Sequence, residues 1–134
     1  MARRSTVPNL LFFGASACQE RSNALPYEEA IVALRLDGTP TWHWKPRATD
    51  TQDLDFGAAP NLFTITVNEE SHDVVGEGAE DGTYYVLDRD GVNGVTGVRW
   101  DDNDPSALPY WRTNVVPGDS TGRSVSISRT RTRS

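Results

Sequence analysis

An all-β fold is what this sequence predicts, on three observations. Eleven Gly and eight Pro are scattered along its 134 residues, dividing the chain into short pieces. No apolar run keeps a helical period over helical length, whereas several short segments alternate apolar and polar residues as half-buried strands do. Asp-Gly pairs punctuate those segments and supply the left-handed positions that tight hairpin turns need. A hydrophobic share of 37% and a charged share of 24% are globular in proportion, and the length suits one domain.

In chain order, Leu10-Leu11-Phe12-Phe13-Gly14-Ala15 is a compact apolar run ending in small residues, which reads as a buried strand. Residues 16–29 hold Asn23, Pro26 and three Glu and read as a loop. Ala30 to Leu36 is rich in branched side chains, Asp37-Gly38 turns it, and Thr41 to Lys45 returns. An acidic stretch follows. Asn61 to Val67 alternates as a strand, Asn68 to Ser71 turns, and Asp73 to Gly78 pairs with Thr83 to Leu87 around Glu80-Asp81-Gly82. Val95 to Trp100 and Tyr110 to Val116 are the last expected strands. Residues 1–9 are expected to be disordered, as are residues 119–134, where Ser, Thr and Arg alternate with almost nothing apolar.

The net charge of −6 opposes binding to polyanions, so nucleic acid is not an expected partner. Residues 120–134 carry four Arg and no acid, which marks the tail as a separate compositional region. Cys18 is the one cysteine, so no internal disulfide can form. The apolar run after the basic start spans only Leu10 to Phe13, too short for a signal peptide core or a membrane span.

The centre of interest is Ala48 to Pro60. Asp50, Asp53 and Asp55 lie within six residues, close enough to share one cation, and hard carboxylate oxygens suit calcium or a lanthanide. The same residues can equally make a solvated, turn-stabilising loop. Asp88-Arg89-Asp90-Gly91 echoes the start of a calcium loop, but Arg99 stands where such a loop needs a bidentate Glu, so a hairpin turn is expected instead. His43 and His72 have no patterned partner and read as core or surface residues. Trp42, Trp44, Trp100 and Trp111 are expected to pack sheet against sheet.

Two stretches share one build of strand, Asp-Gly turn and Trp: Ala30 to Trp42, and Gly82 to Trp100. Ala33-Leu34-Arg35-Leu36-Asp37-Gly38-Thr39-Pro40-Thr41-Trp42 resembles the repeat of the quinoprotein, pyrroloquinoline-quinone-dependent alcohol dehydrogenases. Gly82-Thr83-Tyr84-Tyr85-Val86-Leu87-Asp88 looks like that family's Asp-Gly-x-Tyr-Ala-Leu-Asp strand. Trp111 to Gly118 is similar to the segment that leaves a blade. The likeness runs over residues 10–118 and is strongest to polyvinyl-alcohol-dehydrogenase-like propellers. It implies part of a β-propeller, two to three blades of antiparallel four-stranded sheets.

The resemblance also implies a site. Thr49-Asp50-Thr51-Gln52-Asp53-Leu54-Asp55 resembles the family's His-Asp-x-Trp-Asp-x-Asp segment at all three Asp and departs from it at Thr49 and Gln52. Carried across, Asp53 is the catalytic base, and Asp53, Asp55 and Asp50 are metal ligands. Ala17 stands where the family has an Asn ligand. The implied cofactors are pyrroloquinoline quinone and calcium or a lanthanide, the substrate a small alcohol or polyol, and the compartment the periplasm or the exterior. A non-catalytic propeller scaffold for protein interaction is the other reading. Since a blade takes roughly 40–50 residues, the chain is expected to be a fragment that meets the remaining blades or self-associates.

Overall fold

The computed structural model describes residues 9–16, 27–47, 52, 54–93, 99–100 and 107–118. It is built of strands: β1 (Leu10–Gly14), β2 (Ile31–Arg35), β3 (Pro40–Trp44), β4 (Asn61–Val67), β5 (Glu70–Gly78), β6 (Thr83–Asp88) and β7 (Trp111–Asn114). They form two antiparallel meanders, a three-stranded sheet β1-β2-β3 and a four-stranded sheet β4-β5-β6-β7. The second is the expected blade, and the first has three strands among the described residues. No helix there is long and apolar enough to cross a membrane.

The turns follow from residue chemistry. Gly38 has φ +86° between β2 and β3, and the Asp37 carboxylate accepts from the Thr39 amide at 2.9 Å. Between β4 and β5 the turn is tighter than expected. Asn68 and Glu69 both have positive φ, 50° and 65°, and Val67 already pairs with Glu70. Two consecutive left-handed residues match the twist of the flanking strands, so β5 starts at Glu70 and Ser71 belongs to the strand.

β7 is shorter than the expected Tyr110 to Val116, ending at Asn114. Of the expected strand at Val95 to Trp100, residues 95–98 lie outside the described residues, and Arg99 makes an isolated bridge with Val92. The expected tail and N-terminal start also lie outside, apart from Asn9.

The main core fills the space between the sheets. Ile31, Ala33, Trp42 and Trp44 meet Val75, Ala79, Tyr85 and Leu87, with Phe56, Trp100 and Ala107 closing the cluster. Two indoles are fixed by hydrogen bonds as well as by area. Trp42 Nε1 donates to the Arg89 carbonyl at 3.2 Å and Trp44 Nε1 to the Ala107 carbonyl at 2.9 Å. The rings of Trp44 and Tyr85 lie 5.1 Å apart across the junction.

Trp111 departs from expectation. It sits on the edge strand β7 opposite Val86, tilts against Tyr84 at 6.0 Å and stays 41% exposed. Strand alternation explains this, since Val86 and Tyr84 face the other side of the sheet, where a smaller cluster forms with Val74, Phe63, Ile65 and Tyr110.

Candidate functional site

The registers bring particular strand ends together. Gly14, Ile31 and Trp44 align at one end of the first sheet. Asn61 pairs with Gly76 and Gly78 with Tyr84 at one end of the second. These two ends adjoin, and the acidic stretch returns to them. The Glu80 amide donates to the Asp55 carbonyl at 2.8 Å, and the Asp55 amide donates to Glu80 Oε2 at 3.4 Å. Phe56, the next residue, is buried and packs edge-on against Tyr85 at 5.9 Å.

Asp55 is therefore placed at the junction through its backbone. Asp50 and Asp53, with Thr49, Ala17 and Cys18, lie outside the described residues. Among the described residues no three His, Cys, Asp or Glu groups gather closely enough to hold a metal.

A fastening of opposite charges crosses the same junction. Arg47, just after β3, reaches Asp81 Oδ2 with Nη1 at 3.0 Å and Nη2 at 3.3 Å, and its Nε lies 3.7 Å from the buried Glu29 carboxylate. Asp81 also accepts from the Tyr85 hydroxyl at 2.5 Å and from the Thr83 amide at 2.8 Å. Burial, and then the bonded Asp81, push the Tyr85 phenol above its ordinary range. Glu29 has φ +44°, a left-handed conformation that a non-glycine residue holds only when its surroundings fix it.

The group missed in the sequence is Glu77. It lies on β5 in the run Val74-Val75-Gly76-Glu77-Gly78-Ala79 and shares a face with Val75 and Ala79, so strand alternation aims it into the core. Its exposure is 0%, and neither carboxylate oxygen has a hydrogen-bond partner among the described residues. Burial pushes its pKa from 4.5 to about 8, which leaves it protonated at neutral pH. The signal was present: a lone Glu between two glycines at a core-facing position.

Glu77 also explains Gly14. A Cβ at Gly14 would come within 2.5 Å of Phe56 Cβ and 2.7 Å of the Phe56 carbonyl oxygen, and would strike Glu77 Oε1. Only a residue without a side chain lets the acidic stretch and β5 close on β1 here.

The histidines are structural. His43 is buried with its ring 5.1 Å from that of Tyr27. His72 Nδ1 lies 3.0 Å from the Tyr110 hydroxyl, which donates to Asp88 Oδ2 at 2.9 Å. Asp88 also accepts from the Asp90 amide at 2.8 Å, and Gly91 has φ +80°, so Asp88 to Gly91 is the expected turn.

Two meandering antiparallel sheets, packed face to face over a tryptophan-rich core, define this molecule as part of a β-propeller. The model for the β-propeller domain of glucose, ethanol and alcohol dehydrogenases that use pyrroloquinoline quinone matches residues 12–110, and the chain belongs to that family. Two solved structures share its fold. One is a quinohemoprotein alcohol dehydrogenase from Comamonas testosteroni, with TM-score 0.57, 21% identity and 90% of this chain covered. The other is a quinohemoprotein alcohol dehydrogenase from Pseudomonas putida, with TM-score 0.57, 22% identity and 87% covered. The chain spans 18% and 17% of those two proteins. No curated protein sequence matches it.

Proposed function

We propose that this chain is a segment of a quinoprotein oxidoreductase that oxidises a small alcohol or polyol, with pyrroloquinoline quinone and a hard cation as cofactors. The observation that carries the reading is the docking of Asp55-Phe56 onto Glu80 at the joined strand ends. It brings Asp55 to the same junction as the buried Glu77 carboxyl group.

The acidic stretch supplies carboxylates, and hard carboxylate oxygens are what calcium and lanthanides take. Of its three Asp, Asp55 lies among the described residues, held to Glu80 through its backbone. Asp53, Asp55 and Asp50 are the residues proposed to hold the cation. Bound, the quinone would accept the hydride while the cation offsets the charge that builds on oxygen. Asp53 is the proposed base, removing the hydroxyl proton of the alcohol at its carboxylate. Phe56, next in the chain after Asp55, is buried against Tyr85. No residue is assigned to the quinone itself. The reading carries with it a periplasmic or external location and further blades as partners. Residues 10–118 form the propeller segment, to which 119–134 add nothing.

A non-catalytic scaffold is the second reading, and the exposed apolar residues at the edges of the four-stranded sheet favour it. Leu62, Trp111, Val115 and Val116 are all more than 40% exposed along its edges. Titration with calcium and lanthanum, with and without the quinone, followed by dye-linked alcohol oxidation, separates the two. The enzymatic reading expects quinone-dependent turnover that Asp53→Asn abolishes and Asp55→Ala weakens. Absence of turnover in the parent leaves the scaffold.

A further inference from the structure

The β5–β6 turn is fixed by bonds from several directions. The Ala79 amide donates to the Thr83 carbonyl at 3.0 Å, the Gly82 amide to the Ala79 carbonyl at 3.1 Å, and the Val115 amide to the Gly82 carbonyl at 2.8 Å. Asp81 accepts from Arg47 at the end of β3, from the Tyr85 hydroxyl and from the Thr83 amide. Glu80 lies inside this turn, between Ala79 and Asp81, and is buried. Its backbone is therefore set by contacts that do not involve the acidic stretch.

From that fixed position Glu80 makes two bonds to one residue of the stretch. Its amide donates to the Asp55 carbonyl at 2.8 Å, and its carboxylate Oε2 accepts from the Asp55 amide at 3.4 Å. One main-chain bond fixes a distance and leaves the segment able to pivot about it. A second bond, to the other main-chain group of the same residue, removes the pivot. The Phe56 ring, buried against Tyr85, gives a third point of attachment. Both bonds use the main chain of Asp55, so the hold does not consume its carboxylate. Burying a carboxyl group beside a stretch with three Asp costs free energy unless a donor faces it, and the Asp55 amide is that donor.

We infer that Glu80, to which the family likeness assigns no role, is the positioning residue of the acidic stretch: its carboxylate fixes the orientation of Asp55 at the joined strand ends. The inference rests on the quinoprotein reading for the chemistry that the stretch carries. Glu80 acts through Asp55 rather than on the substrate.

The test compares the full chain with two variants. Glu80→Gln keeps an acceptor oxygen without the charge, and Glu80→Met keeps the length and removes the acceptor. Amide hydrogen exchange is followed residue by residue. At Asp55 the parent and Glu80→Gln are expected to exchange alike and Glu80→Met roughly tenfold faster, while the amides of β5 and β6 keep their rates. Equal rates at Asp55 in all three proteins overturn the inference. So does an acceleration in Glu80→Met that spreads evenly over β5 and β6, the mark of a merely structural role. Should Glu80→Met fail to fold, the parent decides: an Asp55 amide as protected as those of β6 supports the hold, and one exchanging like an exposed loop refutes it. Terbium, as the probe of a hard cation, is then titrated into the same proteins. The two variants carry the same charge, so binding roughly threefold weaker in Glu80→Met than in Glu80→Gln reports orientation rather than electrostatics, and equal binding in the two overturns the positioning role. A parent that binds no terbium, with Asp55 exchange still dependent on Glu80, removes the quinoprotein reading and leaves Glu80 holding the stretch.

Discussion

Arg47 Nη1 lies 3.0 Å from Asp81 Oδ2, and this pair ties the end of β3 in one sheet to the β5–β6 turn in the other. The two residues are 34 positions apart, and the bond lies where the ends of the two sheets meet. Arg47→Met is expected to destabilise the fold by about 2 kcal/mol, because it strips the counter-charge from Asp81 and from the wholly buried Glu29. The value sits below that of a fully buried pair because the Arg47 side chain is 26% exposed. Urea unfolding measures it, and a loss under 0.5 kcal/mol would show that the pair does not fasten the sheets.

Glu77 sets a pH dependence for the stability of the protein. The unfolded chain releases its proton near 4.5, whereas the folded one keeps it until about 8. The folded state therefore loses relative stability as pH rises from 4.5 to about 8, and nothing further above that. At about 1.4 kcal/mol per pKa unit, the full effect is bounded by roughly 5 kcal/mol. Glu77→Gln should match the parent near pH 4 and exceed it increasingly toward pH 8. A constant difference across that range would place the titration elsewhere.

Gly14→Ala is expected to cost about 1–3 kcal/mol through overpacking. Adding Glu77→Ala should recover only part of this, since the Phe56 carbonyl oxygen, 2.7 Å from the new methyl, belongs to the backbone and cannot swing away. Full recovery in the double variant, read from thermal melts, would mean that the Glu77 side chain was the whole obstacle.

Tyr110→Phe removes the hydroxyl that joins His72 to Asp88. Burial already raises the Asp88 pKa, and the Tyr110 bond works against that rise. The variant should lose about 1–2 kcal/mol at neutral pH. The loss should shrink as the pH falls through the carboxylate range and Asp88 takes up a proton. A loss that does not change between pH 3 and pH 7 would rule out Asp88 as its source.

Most strand positions were legible in the residues, although β1, expected to be buried, leaves Leu11 and Phe13 exposed because alternate residues of the run face away from the core. Asn61 to Val67 forms β4 with the expected bounds, and the Asp37-Gly38 and Asp88 to Gly91 turns fall where Asp and Gly favour them. These features depend on neighbours within a few positions, so local chemistry suffices for them. The repeat of Trp42 and Trp100, and the likeness it carried, pointed to the family through the same short-range signatures.

What a residue meets across the junction depends on separations of tens of positions, and there the linear order is silent. Glu77 sits in a stretch that reads as an ordinary strand. Its burial against Gly14 follows only once the sheets close with Phe56 between them. Trp111 has the same composition signal as Trp44, yet one lies on an edge strand and the other in the core, because only packing fixes which sheet face is covered. Alternation along a strand says which side chains share a face, and the docking of the second sheet says which face loses water.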